Sequence, residues 1–215
     1  MQPVSIPHAR LGSLALGLAA LLLTVFPLIR PFFPLDPRAP ADTLTLASPV
    51  ITSTPWVLSH LLCTLAFVLL LYGVLTLYTS LAHNNTEPRA FLALALSLAG
   101  IALILPMLGV ETYILPILGK LYLAGHTDLA PAIGMIYLGP AVVVFLLGLL
   151  LLAVGALTFA VAIWRSAVLP RWAGVLFAIG LALWFPPFPR VIRVIDGFMI
   201  GLGGVWLAVS LRQKT

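Results

Sequence analysis

The sequence predicts an all-α fold, a polytopic bundle of transmembrane helices, and three observations carry that prediction. Of 215 residues, 62% are hydrophobic and only 8% charged, with a mean hydropathy of +1.17; an ordinary soluble domain has about 25% charged residues. The apolar residues fall in continuous runs of the length needed to cross a bilayer core, roughly 20 helical residues. They do not alternate in segments of about ten, as the strands of a membrane barrel do. Lipid offers the backbone no hydrogen bonds, so a continuous apolar run in that setting must satisfy itself as helix.

Six spans are expected, with five as the alternative, at about 11–29, 56–81, 90–112, 135–164, 170–186 and 191–211, all within one transmembrane domain, 1–215. The first run follows His8 and Arg10. Ala39-Pro40-Ala41 resembles a signal-peptide cleavage site, but Arg30 and Arg38 stand between it and the apolar core, so this helix is expected to stay. Residues 30–55 contain prolines at 31, 34, 37, 40, 49 and 55 and read as an outer loop, with a short interfacial helix over 43–51 beginning at Asp42. Trp56 opens the second span as an interfacial anchor. Within that span His60, Thr64, Val68, Tyr72, Thr76 and Ser80 follow an i+4 ridge that is expected to face protein rather than lipid.

Residues 90–123, AFLALALSLAGIALILPMLGVETYILPILGKLYL, are too long for one straight crossing. Pro106 and Pro116 bracket the acid Glu111, and each proline removes an amide donor and crowds the preceding turn. A long, proline-kinked third helix is therefore expected, followed by an outer loop over 113–134. The fifth run is short for a crossing and is broken by Pro186, Pro187 and Pro189, which is the source of the five-or-six ambiguity. In the sixth, Gly197, Gly201 and Gly204 share one helix face. Small faces let a second helix approach closely, and packing within the molecule is preferred here to a dimer interface.

An even number of crossings brings both termini to one side. Six basic residues then lie with them (Arg10, Arg89, Arg165, Arg171, Arg212, Lys214) and five opposite (Arg30, Arg38, Lys120, Arg190, Arg193), while Asp36, Asp42, Glu111, Asp128 and Asp196 oppose a single Glu87. The basic turn 165–171 and the tail favour cytoplasmic termini in a cell inner membrane. The net charge of +5 is read as juxtamembrane anchoring. No phosphate loop or other nucleotide motif is present, and no nucleic-acid partner is expected. Cys63 is the single cysteine, which leaves no intrachain disulfide and no cysteine metal site.

Residues 148–183, above all Trp164-Arg165-Ser166-Ala167-Val168-Leu169-Pro170-Arg171-Trp172-Ala173-Gly174-Val175-Leu176, resemble the basic hairpin of a broad group of bacterial six-helix membrane proteins of about this length. The long outer segment after the first helix and the Leu-rich second helix are similar too. The resemblance implies six helices and a bacterial inner membrane. That family has no agreed activity, so no residue role is carried over from it.

Placed by depth, the ionisable residues give one constellation: His60, Glu111, Asp196, Arg190, Arg193 and Arg30 all fall toward the outer face. As a bland reading they form an interfacial network of paired charges; as a sharper one they line a pocket opening outward, where ionisable groups at membrane depth handle ligands or protons. No metal is expected, since a site would need His60, Glu111 and His126 from separate segments. A porphyrin or chlorin on His60 is the remaining cofactor reading, because imidazole from a membrane helix is a usual axial ligand. Signatures of hydrolases, zinc enzymes and kinases are missing. The leading functional expectation is a non-enzymatic accessory or scaffold component of a membrane assembly, with the lipid bilayer and other membrane subunits as partners. The alternatives are a small proton-coupled transporter, and a lipid- or isoprenoid-acting enzyme with His60 and Glu111 as acid and base.

Overall fold

The computed structural model describes residues 6–32, 40–82, 86–184 and 189–213, apart from the side chains of 6–8 and 40–42. Asp36, Arg38 and Lys214, and the side chain of Asp42, lie outside the described residues. Those described form nine α-helices and no strand: α1 (Ile6–Ile29), α2 (Pro40–Ile51), α3 (Thr54–Leu81), α4 (Glu87–Gly109), α5 (Leu115–Leu123), α6 (Pro131–Tyr137), α7 (Pro140–Ser166), α8 (Arg171–Leu183) and α9 (Arg190–Arg212). A π turn, Val110–Ile114, joins α4 to α5, and a 3-10 turn, Thr127–Leu129, precedes α6. Five helical stretches are long and apolar enough to cross a membrane, and the chain is a multi-pass helical bundle. α8, with 13 residues, is roughly 20 Å long and falls short of a full crossing.

Three expected boundaries change, for one physical reason. The outer loops expected over 30–55 and 113–134 contain α2, α5 and α6, and the fourth span starts at Pro140 rather than near 135. Prolines that read as breakers act instead as helix starters. Pro40, Pro131 and Pro140 are the first residues of α2, α6 and α7, and Pro55 and Pro88 the second residues of α3 and α4, whereas Pro116 follows the π turn inside one continuous helical stretch, Glu87–Leu123. A proline in the first turn gives up an amide that has no intrahelical acceptor, and its fixed φ already suits the helix. Ser53 completes the start of α3 by accepting the Trp56 amide at 3.4 Å.

Six helices close a ring in which each packs on two neighbours, in the order α1, α3, α4, α7, α8, α9 and back to α1. Cys63, Phe67 and Leu70 of α3 are fully buried, and the Phe67 ring meets Trp184, just past α8, at 5.2 Å. Close approach between ring neighbours depends on missing side chains. A Cβ on Gly100 of α4 would stand 2.6 Å from the Leu152 amide nitrogen and 2.7 Å from the Gly148 carbonyl oxygen of α7. Gly197, Gly201 and Gly204 of α9 face α1: a Cβ at these positions would meet Pro27, Thr24 and Ala20 respectively. Thr24 Oγ1 donates to the Gly197 carbonyl at 2.8 Å across that seam. This glycine face is thus occupied within the molecule.

Gly12 lies on Thr76, Gly17 on Ala208 and Gly155 on Ser97, so the ring helices run antiparallel to their sequence neighbours and the two chain ends share one end of the bundle. At the other end α2, α5 and α6 form a cap around Leu44, Ile51, Trp56, Leu118 and Ile133. The i+4 ridge of α3 does not face protein throughout: Tyr72 is 62% exposed and Val68 40%. Each i+4 step advances about 40° around the axis, so the ridge winds from the buried His60 outward at Val68 and Tyr72 and in again to the buried Thr76. Its hydroxyls bond their own helix, Thr64 to His60 O and Thr76 to Tyr72 O, both at 2.9 Å.

Candidate functional site

The site forms where the first turns of α3, the end of α1 and the π turn meet. Its backbone geometry follows from Pro116. In the π turn the Leu115 amide bonds the Val110 carbonyl, five residues back. The next amide in that register would serve Glu111, but residue 116 is proline and has no N–H. The Glu111 carbonyl therefore needs another donor. Trp56 supplies it through its indole Nε1 at 2.9 Å. Trp56 is fully buried and is not the interfacial anchor expected at the mouth of the second span. Insertion of a π turn into a long helix is a frequent mark of functional sites.

His60 is fully buried one turn beyond Trp56, and its Nδ1 lies 2.8 Å from the Trp56 carbonyl oxygen. A carbonyl only accepts, so Nδ1 carries the proton in that contact. The other ring nitrogen, Nε2, has two neighbours. Glu111 Oε2 stands 3.4 Å away, and Arg30 Nε approaches at 3.4 Å as a donor. Tyr137 donates its hydroxyl to the second carboxylate oxygen, Oε1, at 3.1 Å. The Glu111 side chain remains 15% exposed while His60 is closed off.

Aromatic rings hold the cations in place. The Arg30 guanidinium lies over Trp56 at 4.8 Å and over Phe32 at 5.1 Å, a geometry in which a desolvated cation is attracted by the ring quadrupole. Trp56 stacks obliquely on His60 at 4.2 Å, and Phe26 meets the same imidazole edge-on at 5.5 Å. Arg190 is exposed and sits over Phe32 at 5.4 Å, sharing that ring with Arg30.

Arg193 and Asp196 form a separate group on α9. Asp196 is fully buried and neither carboxylate oxygen has a hydrogen-bond partner among the described residues; the same holds for Arg193 Nη1 and Trp184 Nε1. Arg193 lies 4.7 Å over the Trp184 ring. Phe26 and Trp184, 5.9 Å apart, stand between this group and His60. Of the six polar residues singled out in the sequence, Arg30, His60 and Glu111 thus come into one hydrogen-bonded chain. Arg190 joins only through Phe32, and Arg193 with Asp196 lies beyond the two rings.

Trp56 and Tyr137 were missed as members. Trp56 carried a signal, being one turn before His60 on the same face. Tyr137 carried less, because its position depends on the break at Leu138 and Gly139 ahead of α7.

What this arrangement can do is governed by where its protons sit. With Nε2 bare, the imidazole accepts from Arg30 and faces Glu111 favourably only if the carboxyl is itself protonated. With Nε2 protonated, the imidazolium pairs with the Glu111 carboxylate and no longer accepts from Arg30. The two arrangements carry the same number of protons and differ by whether one sits on the carboxyl or on Nε2. Both nitrogens of His60 are engaged by protein groups, so a porphyrin or chlorin does not fit there without repacking. No group of three or more metal-ligating side chains occurs among the described residues, and His126 is exposed beside the 3-10 turn. Compared with known proteins, the chain matches no family model, no curated protein and no solved structure.

Proposed function

We propose that this protein takes up and releases a proton at the Glu111–His60 pair, as the coupling step of a small membrane carrier. The observation that supports this reading most is the double demand on His60 Nε2, 3.4 Å from both an arginine donor and a carboxylate oxygen. Burying an ionisable group costs free energy unless it is paired, and this site keeps three together. Glu111 is the group open to the exterior of the bundle, so the proton enters there and passes to the enclosed imidazole. In the same reading the end with the termini and the basic turn 165–171 is cytoplasmic, in the inner membrane of a bacterium, and the pair faces outward.

The test is pH-jump infrared difference spectroscopy on the protein in bilayers, alongside its thermal midpoint. A titrating carboxyl band that Glu111→Gln abolishes, with the midpoint preserved, is the expected result. A wild-type protein with no such band, and a midpoint that falls in Glu111→Gln, would make the pair purely structural and remove the proposal.

A second reading, an accessory component of a larger assembly, is favoured by the apolar side chains the cap leaves exposed, Leu46 at 59%, Met135 at 70% and Leu138 at 61%. Exposed apolar patches of this kind mark contact surfaces. A native particle larger than the single chain after gentle solubilisation, reduced in size by Met135→Glu, would favour it; a particle of one chain would remove it.

A further inference from the structure

At the end of the bundle that holds the termini, α7 and α8 leave an apolar groove of about 280 Å³ lined by Leu157, Ala160, Val161, Trp164, Val175 and Ile179, with Ala178 at its floor. Leu157, Val161 and Ile179 are partly exposed to the outside of the ring, where acyl chains lie. From Trp164 to Leu157 the groove extends for two helical turns, roughly 10 Å into the apolar layer.

Its mouth is built differently. Trp164 and Trp172 meet edge to face at 5.5 Å, and the Arg171 guanidinium lies 5.5 Å over the Trp164 ring. Indoles at the rim of an apolar layer are amphipathic and sit at headgroup level. Arg165 closes α7 and Arg171 opens α8, with only a four-residue turn between Ser166 and Arg171. The turn is tight because Ala167 adopts a left-handed conformation, φ 52°, and donates its amide to Ile163 O at 3.2 Å. Both arginines are exposed, and neither is ion-paired with an acid among the described residues, where the only ion pair is His60–Glu111. Glu87, the acid on this side of the bundle, accepts from Tyr78 at 3.4 Å. The amides of the first turn of α8 emerge at the same point, and helix N-termini favour phosphate oxygens.

We propose that this constellation seats one anionic phospholipid, with its phosphate between Arg165 and Arg171 and one acyl chain in the α7–α8 groove. Charge complementarity selects the headgroup, since Arg171 lies on the Trp164 ring at the mouth and the exposed Arg165 adjoins it in sequence, neither paired with a carboxylate among the described residues. The groove selects the chain, which distinguishes a lipid from a free phosphate ion. Juxtamembrane arginines attract anionic lipids in general; here the adjoining groove makes the attraction a site.

Electron spin resonance of chain-labelled phosphatidylglycerol and phosphatidylcholine tests this, with the full-length protein in phosphatidylcholine vesicles. The motionally restricted fraction should favour phosphatidylglycerol by about fivefold for each arginine that contacts the headgroup. Arg165→Gln with Arg171→Gln should erase that preference, and Arg165→Lys with Arg171→Lys should retain most of it. Val161→Trp, which fills the groove from its exposed side and leaves both arginines in place, should reduce the restricted fraction of both lipids. A control pair, Arg89→Gln with Arg212→Gln, should leave the preference intact. Equal loss in the control pair would reduce the effect to general surface charge, and displacement of the label by millimolar inorganic phosphate would make it an ion site; either result, or no preference in the wild type, overturns the proposal. Should the glutamine pair fail to fold, Val161→Trp decides alone, because an unchanged restricted fraction in that variant is equally fatal.

Discussion

The indole of Trp56 donates a 2.9 Å hydrogen bond to the main-chain carbonyl of Glu111, the residue whose carboxylate faces His60. One side chain on α3 thereby satisfies the backbone of the π turn while its own carbonyl sets the tautomer of His60. Backbone irregularity and proton-bearing side chain are coupled through a single residue.

Trp56→Phe keeps the ring beneath Arg30 and against His60 but leaves the Glu111 carbonyl without its donor. An orphaned buried acceptor costs about 1–3 kcal/mol. The thermal midpoint in a fixed lipid environment should fall accordingly, while Trp206→Phe, half-exposed on α9, should leave it nearly unchanged. Equal midpoints for Trp56→Phe and wild type would mean that the carbonyl is satisfied in some other way.

Arg193 and Asp196 are buried with orphaned polar atoms and make no ion pair with each other, so each is offset only by the longer-range charge of the other. Leaving one buried charge alone destabilises, whereas removing both opposite charges is often neutral or stabilising. Arg193→Met and Asp196→Asn should each lower the midpoint, and the double variant should recover most of the loss. Additive single effects in that cycle would show that the two charges do not interact.

Gly100 and Gly109 lie nine residues apart in α4 and should respond in opposite directions to alanine. A Cβ at Gly100 collides with backbone atoms of α7, whereas one at Gly109 meets nothing within 4 Å. Gly100→Ala should cost about 1–3 kcal/mol through overpacking, and Gly109→Ala should add about 0.4–1 kcal/mol by restricting the unfolded chain. Denaturation of both variants under one set of conditions checks the contrast.

Orientation can be read by thiol labelling without removing the native cysteine, because Cys63 is fully buried. Ala167→Cys and Thr127→Cys place exposed thiols at opposite ends of the bundle. With cytoplasmic termini, an impermeant reagent added outside should label residue 127 and spare 167. The reverse pattern would invert the assignment.

Much of the architecture was legible because lipid imposes continuous apolar helices, so α1, α3, α4 and α9 could be placed by run length alone. The cap was hidden because a proline is silent about direction: Pro40, Pro131 and Pro140 suggested interruption, yet each begins a helix. His60 and Glu111 could be brought to one level by counting residues from opposite ends of two spans. Tyr137 could not, since its approach to Glu111 depends on the turn before α7, and the role of Trp56 depends on the π register, which shifts the missing amide of Pro116 onto residue 111. The contacts of Phe26 and Trp184 set Arg193 and Asp196 beyond the pair, and sequence spacing has no access to those contacts.

The brevity of α8 has a consequence for the surrounding bilayer. Its 13 residues are flanked by 27 in α7 and 23 in α9, so a hydrocarbon layer about 30 Å thick that suits the neighbours overhangs α8 by roughly 10 Å. Lipids beside it must tilt or shorten, at fractions of a kcal/mol per ångström of mismatch. The circumference of the protein is therefore uneven in height, with a local thin sector on one flank, and in vesicles of graded acyl length the most stable form should occur at a shorter chain than six full-length helices would choose.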